Sequence, residues 1–236
     1  MRRRGSGTLT KAELGAERIA AAEAMDPRLV VRLLEPFVQE KRRERLREVI
    51  DARLASVGVV FEAPHDPHNG AAVVRSCEAF GVQTLHVVES REPFLAAASV
   101  ARGAQKWIDL VAHAHPKTAI AAARAEGWEL IATHPDGELL PEDLAEVPSL
   151  AIVLGNERDG IGPELAAACT RRVRVPMRGF VESLNVSVTA AILLSAATTH
   201  RGGDLSEEAR LKLYARGLYL SLPNAERLLA ASAPTG

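Results

Sequence analysis

The apolar run at residues 57–61, Val-Gly-Val-Val-Phe, is followed at once by a turn-forming stretch, Pro64-His65-Asp66-Pro67-His68. After it come Val73, Val74, Cys77 and Phe80 at helical spacing, closed by Gly81. A run apolar at nearly every position reads as a strand buried on both faces, and the helix that follows supplies one of the covers. The unit recurs. Strands are predicted at 84–88, 129–133, 150–154 and 172–175, with a helix over 117–126 ended by Gly127 and a short one over 163–169 with Pro163 in its first turn. Residues 184–199, with Leu184, Val186, Val188, Ile192, Leu193 and Leu194, predict a last core helix buried on several sides. Asn69 is the expected cap of the first core helix. Strands alternating with helices imply an α/β fold, a parallel sheet with helices on both faces.

The 236 residues suit one such domain at 56–200, flanked by a basic helical extension at 1–55 and a helical tail at 201–236. The start, to about Thr10, is expected to be loose, and the stretch from Val88 to Trp107 reads as loop with short helical pieces. Apolar residues at 47% and charged residues at 25% exclude wholesale disorder and collagen. No apolar stretch approaches 18 residues, which excludes a spanning helix. Cys77 and Cys169 show neither CxxC spacing nor paired histidines, so no disulfide framework and no metal are expected. Arg2, Arg3 and Arg4 are followed by Glu13, Glu17 and Glu23 rather than by an apolar segment, and a cytoplasmic protein is expected.

The net charge of −1 conceals a division. Residues 1–50 hold 12 Lys and Arg against 8 Asp and Glu. Lys41, Arg42, Arg43, Arg45 and Arg47 cluster on a predicted helix over 38–54 and form a candidate RNA-phosphate surface. A solvated face with local pairs such as Glu40 with Arg43 is the plain alternative. With aromatic residues at 4%, stacking platforms for bases are scarce, so RNA would be held by its backbone.

Neither GxGxxG nor a phosphate-binding GxxxxGK[ST] loop is present. Three stretches following strands carry polar side chains that a plain connection does not need: Asn69-Gly-Ala-Ala-Val-Val-Arg75; Leu154-Gly-Asn-Glu157 with Gly160; and Pro176-Met177-Arg178-Gly179 with Ser183-Leu184-Asn185-Val186-Ser187. In this order and at these intervals, together with Gln105-Lys106-Trp107 and Ala132-Thr133-His134, they resemble the motifs of the SpoU family of S-adenosylmethionine-dependent RNA ribose 2′-O-methyltransferases, and within it the TrmH-type tRNA enzymes.

That resemblance implies a SPOUT fold with a trefoil knot in the C-terminal part of the core, a homodimer, S-adenosylmethionine as methyl donor and tRNA as partner, methylated at the D-loop guanosine 18. Ribosomal RNA methylation and a catalytically silent RNA-binding module are the alternatives. It further implies Arg75 as central catalytic residue, with Asn69, Glu157, Ser183 and Asn185 completing the polar site, and Thr133, Gly155, Val175, Met177 and Leu184 as donor contacts. On residue type alone Asn69, Ser183 and Asn185 are equally helix caps, Arg75 a surface residue, and Val175 and Leu184 core residues. An arginine resists deprotonation, so Arg75 is expected to clamp a phosphate and stabilise the developing alkoxide, leaving the proton acceptor open. His65, His68 and His134 lie near these loops without the spacing of a metal triad.

Overall fold

A computed structural model describes residues 11–62, 64, 66–89, 103–156 and 158–231, the side chains of 11–16 excepted. The expected loose start therefore lies outside the described residues. The elements run α1 (Lys11–Glu23), α2 (Pro27–Leu34), α3 (Glu40–Asp51), β1 (Val57–Glu62), α4 (Pro67–Ala79), β2 (Thr84–Val88), β3 (Asp109–His113), α5 (Pro116–Ala125), β4 (Glu129–Thr133), β5 (Leu150–Leu154), α6 (Pro163–Ala168), β6 (Arg171–Val173), α7 (Val186–Thr198), α8 (Glu207–Ser221) and α9 (Ala225–Ala231). Short 3₁₀ segments lie at Glu35–Phe37, Ala104–Lys106 and Pro141–Glu146. Two compact units form: residues 52–205, and residues 1–51 with 206–236.

Residues 52–205 build a parallel sheet in the order β3-β2-β1-β5-β4-β6. β1 and β5 lie at its centre, with Val59 level with Leu85 of β2 and Ile152 of β5. Alternation along β1 sends Val57, Val59 and Phe61 to one face, against Val73, Val74 and Cys77 of α4 and Ala190, Leu193, Leu194 and Ala197 of α7. Val60 faces the other way, among Ala119, Ile120 and Ala123 of α5, Leu165 of α6 and Trp128. The helices cover both faces, as parallel strands require. Gly58 belongs to the second face: a Cβ there would lie 2.2 Å from the Trp128 ring, whose Nε1 donates to the Ala55 carbonyl at 2.8 Å. Arg201 locks the far end of α7 by donating to the carbonyls of Pro148 (2.9 Å) and Leu144 (3.2 Å).

Three expectations need correction. β3 falls between the expected loop ending at Trp107 and the helix expected from 117, where no element was expected. It is an edge strand with polar Asp109 and His113 at its ends and exposed Val111 and Ala112 between them, so it carries no buried apolar run. The cap of α4 is Asp66, not Asn69. Its carboxylate accepts from His68 N at 2.8 Å and Pro67 takes the first helical position, so Asn69 sits inside the first turn. α7 buries one side only, since Val188 and Ile192 remain 46% and 36% exposed.

In the other unit α2, α3 and α8 pack around Leu34, Leu46 and the buried run Leu213–Tyr219. Gly217 leaves room for Leu46, whose Cδ2 would lie 2.8 Å from any Cβ there, and Arg216 pairs with Glu23 at 2.8 Å. Among the described residues no helix is long and apolar enough to cross a membrane, and no group of His, Cys, Asp or Glu is placed to hold a metal ion.

Candidate active site

In a parallel sheet every strand delivers its carboxyl end to the same edge, where ligands of open α/β sheets sit. At that edge the chain leaving β4, β5 and β6 surrounds a cavity of about 420 Å³, within the size range of small-molecule sites. Thr133, Gly155, Val175, Met177 and Leu184 all line it, as do Ser183 and Asn185. Its wall alternates apolar and polar groups, and Ile161 and Val186 face it together with His134, Arg174 and Glu182. The hydroxyl of Thr133 donates to the Val153 carbonyl at 3.0 Å, which joins β4 to β5 at the rim. Phe180, Val181 and Met177 on the segment between β6 and α7 are exposed.

The polar corner of the cavity is set by the start of α7. Asn185 caps that helix: its Oδ1 accepts from Ser187 N at 2.8 Å and from the Ser187 hydroxyl at 2.7 Å. Its Nδ2 donates to Asn69 Oδ1 at 2.9 Å, so the first turn of α4 is tied to the cap of α7. Both capping and site roles open to Asn185 are compatible with this one geometry. Ser183 lies on the exposed approach and does not cap. Arg75 does not line the cavity. It stands six residues beyond Asn69, about 9 Å further along α4 and about 240° round it, exposed and without an ion pair among the described residues.

The segment after β5 has its own internal ties. Asn156 and Gly160 exchange both backbone hydrogen bonds, at 3.1 and 3.2 Å, and Asn156 Oδ1 accepts from the amides of Arg158 (2.9 Å) and Asp159 (2.7 Å). Glu157, expected to complete the polar site, lies outside the described residues; the turn amides are ordered by the carboxamide of Asn156. Gly160 is left-handed (φ 69°), and a Cβ on Gly155 would lie 2.1 Å from the Gly160 carbonyl carbon. Only glycine permits the two strands of this turn to approach so closely. The turn's far end is held by Glu62, whose carboxylate accepts from Gly162 N at 2.6 Å. Burial, and secondarily the charge of Glu62, pushes the neighbouring Cys169 thiol up to about 11. Sequence reading missed Glu62 and Asn156. The signal available was an acidic residue ending an otherwise apolar strand, and an Asn two residues before a turn amide.

The basic cluster lies on α3 in the other unit. Arg45 pairs with Glu48 at 2.8 Å, and Arg47 bonds Glu35 and stacks over the Tyr214 ring at 5.1 Å. Arg42 donates to the Ser221 hydroxyl at 3.1 Å. Lys41 is exposed, and neither it nor Arg43 has an ion-pair partner among the described residues, so the Glu40–Arg43 pair offered under the solvated-face alternative is not formed.

The sequence model of the SpoU rRNA methylase family matches residues 56–195. The tRNA (guanosine(18)-2′-O)-methyltransferase of Escherichia coli K12 is 32% identical over 161 residues, which span 68% of this chain and 70% of that protein. The structure of an A. aeolicus TrmH/SpoU tRNA-modifying enzyme superposes with a TM-score of 0.66 at 28% identity, covering 78% of this chain and 98% of that one. An AdoMet-bound rRNA methyltransferase from Sinorhizobium meliloti gives 0.56 at 26% identity, with 66% and 60% covered. A parallel sheet whose carboxyl edge gathers the polar stretches at 69–75, 154–160 and 176–187 around one cavity, in a chain with these relatives, belongs to the SpoU rRNA methylase family.

Proposed function

We propose that this chain is an S-adenosylmethionine-dependent tRNA 2′-O-ribose methyltransferase of the cytoplasm, acting on the D-loop guanosine at position 18. The observation that carries the reading is the convergence of Thr133, Gly155, Val175, Met177, Leu184, Ser183 and Asn185 on one cavity, with Asn69 bonded to its corner. The residues fit the donor. The cavity has room for it, Val175, Met177, Leu184 and Ile161 offer an apolar wall, and the glycine turn brings backbone polar groups to the surface. When bound, S-adenosylmethionine supplies an electrophilic methyl carbon and departs as the neutral thioether.

The chain's own work is positioning and charge. Arg75 stands outside the cavity wall on an exposed face of α4, which supports a role toward the RNA rather than the donor. Its fork holds a phosphate beside the target ribose, and its fixed cation stabilises the 2′ oxygen as negative charge builds. A guanidinium does not give up its proton at ordinary pH, so the hydroxyl proton goes to an acceptor other than Arg75. Asn185 and Asn69 hold the corner between α7 and α4 still, and Ser183 and Glu157 complete the polar set.

Lys41, Arg42, Arg43, Arg45 and Arg47 are read as phosphate contacts. Residues 1–51 and 206–236 hold 16 basic against 12 acidic residues, while residues 52–205 hold 13 against 18. Both terminal extensions thus share one net-positive unit, the core unit is net-negative, and a polyanion would engage the former. The same reading includes a trefoil crossing in the C-terminal part of the core. It also includes a homodimer covering Val188 and Ile192, which lie one turn apart on the exposed side of α7.

Ribosomal RNA methylation is the second reading, favoured by the rRNA methyltransferase among the structural relatives. Transfer of labelled methyl from S-adenosylmethionine to unmodified tRNA, with nucleotide mapping, tests both. Label at guanosine 18 is expected. Label in rRNA fragments alone selects the second reading, and label in neither rejects the enzyme.

A further inference from the structure

We infer that Glu62 is a positioning residue for the donor cavity: its carboxylate anchors the far end of the turn that forms one wall. The inference rests on the methyltransferase reading. Glu62 is the last residue of β1 and, two positions after Val60, lies on the α6 side of the sheet. There its Oε2 accepts from Gly162 N at 2.6 Å. Gly162 caps α6 without a side chain of its own, and a Cβ on it would sit 2.8 Å from Glu62 Oε1. The carboxylate therefore satisfies the amide of the N-cap residue, and a side chain at 162 would have to push it aside.

The consequence reaches the cavity through the chain. The segment leaves β5 at Leu154, closes on itself between Asn156 and Gly160, packs Ile161 on the core beside Val60 and Leu165, and is gripped at Gly162 N by Glu62. Gly155, Asn156, Gly160 and Ile161, all between these anchors, line the cavity. Glu62 itself does not line it. Its effect is transmitted: with the grip removed, the turn gains freedom that donor binding must then remove.

Calorimetry with S-adenosylmethionine tests the inference, together with peptide-level hydrogen exchange over residues 155–162 in the donor-free protein. Glu62→Ala is expected to weaken donor binding about tenfold, the scale of one lost hydrogen bond to a charged group, and to speed exchange in that segment. Glu62→Gln keeps an acceptor for Gly162 N and is expected to stay within about threefold of wild type. Gly162→Ala should weaken the donor in the wild-type background, where it meets the carboxylate, and cost little more in Glu62→Ala, where the obstacle is gone. Turnover at saturating donor should be nearly retained by Glu62→Ala. A lowered melting temperature with unchanged donor affinity and unchanged exchange over 155–162 overturns the assignment, as does simple additivity of the two substitutions. A wild-type protein that does not bind the donor overturns the methyltransferase reading and this inference with it; one that binds while Glu62→Ala matches it overturns the inference alone.

Discussion

Asn185 donates through Nδ2 to Asn69 Oδ1 at 2.9 Å while its own Oδ1 caps α7 through Ser187 N at 2.8 Å, so one side chain closes a helix and clasps a second helix. The two duties separate by substitution. Asn185→Asp keeps the capping oxygen but loses the donor and turns a carboxylate toward Asn69 Oδ1. It is expected to leave the melting temperature within a few degrees of wild type and to cut methyl transfer at least tenfold. Asn185→Ala loses both duties, with about 1 kcal/mol less stability from the cap. Scanning fluorimetry beside a methyl-transfer assay reads the two effects. Asn185→Asp with full activity would leave this residue a cap and nothing more.

Arg75 is the second point at which geometry constrains chemistry. It stands off the cavity wall and is exposed, so Arg75→Ala should leave S-adenosylmethionine affinity unchanged within about twofold while lowering turnover by at least 100-fold, the usual scale for losing a transition-state contact. Arg75→Lys should recover little, because an ammonium lacks the fork. Donor affinity from calorimetry and single-turnover rates with tRNA give the comparison. Wild-type rates in either variant would remove Arg75 from the site.

The legibility of this chain in sequence follows burial. β1 and β5, apolar and enclosed, announce themselves. β3 does not, because an edge strand with Asp109 bonded to Gln83 and His113 bonded to His86 spends its pattern on polar partners. Asn69 reads as a cap because Asn is a good one, yet Asp66-Pro67 is the stronger start, and the helix begins three residues earlier. Thr133, Gly155, Val175 and Leu184 could be singled out only through motif order; no local pattern states that they meet. What brings them together is the shared direction of the strands, which is a property of the whole sheet. Glu62 stayed hidden because its role depends on Gly162, 100 residues away.

The basic extension supplies a third test. Lys41 and Arg43 have no acidic partner among the described residues, whereas Arg45 and Arg47 are paired. Each phosphate contact releases counterions and adds roughly one unit to the slope of log affinity against log salt. Lys41→Ala/Arg43→Ala is expected to weaken tRNA binding and flatten that slope by about 1 to 2. Donor binding should not change. An unaltered slope would return α3 to an ordinary solvated helix.

The buried pair His86 and His113 predicts how the fold responds to acid. The Thr118 hydroxyl donates to the His115 carbonyl at 2.8 Å, so it accepts from His113 Nδ1 at 3.2 Å; His113 Nε2 then accepts from His86 Nδ1 at 2.8 Å. This order leaves His86 Nε2 as a bare lone pair, buried without a partner, in a cluster with the Trp128 ring 5.5 Å away, edge-on. A proton could be added there only by charging an apolar layer. Burial first, and the adjacent His113 second, lower His86 to about 4, and burial lowers His113 as well. The unfolded chain takes up the proton near pH 6.5. Between these values the unfolded state binds protons that the native state refuses, so stability is full above about pH 6.5 and falls as pH drops toward 4. The loss from His86 is on the order of 1 to 3 kcal/mol. Urea unfolding at pH 7.5, 6.0 and 5.0 should show this decline in the wild type. It should be smaller in His86→Phe, which keeps an aromatic ring in the layer and has nothing to protonate. A decline of equal size in both proteins would move the acid sensitivity to other groups.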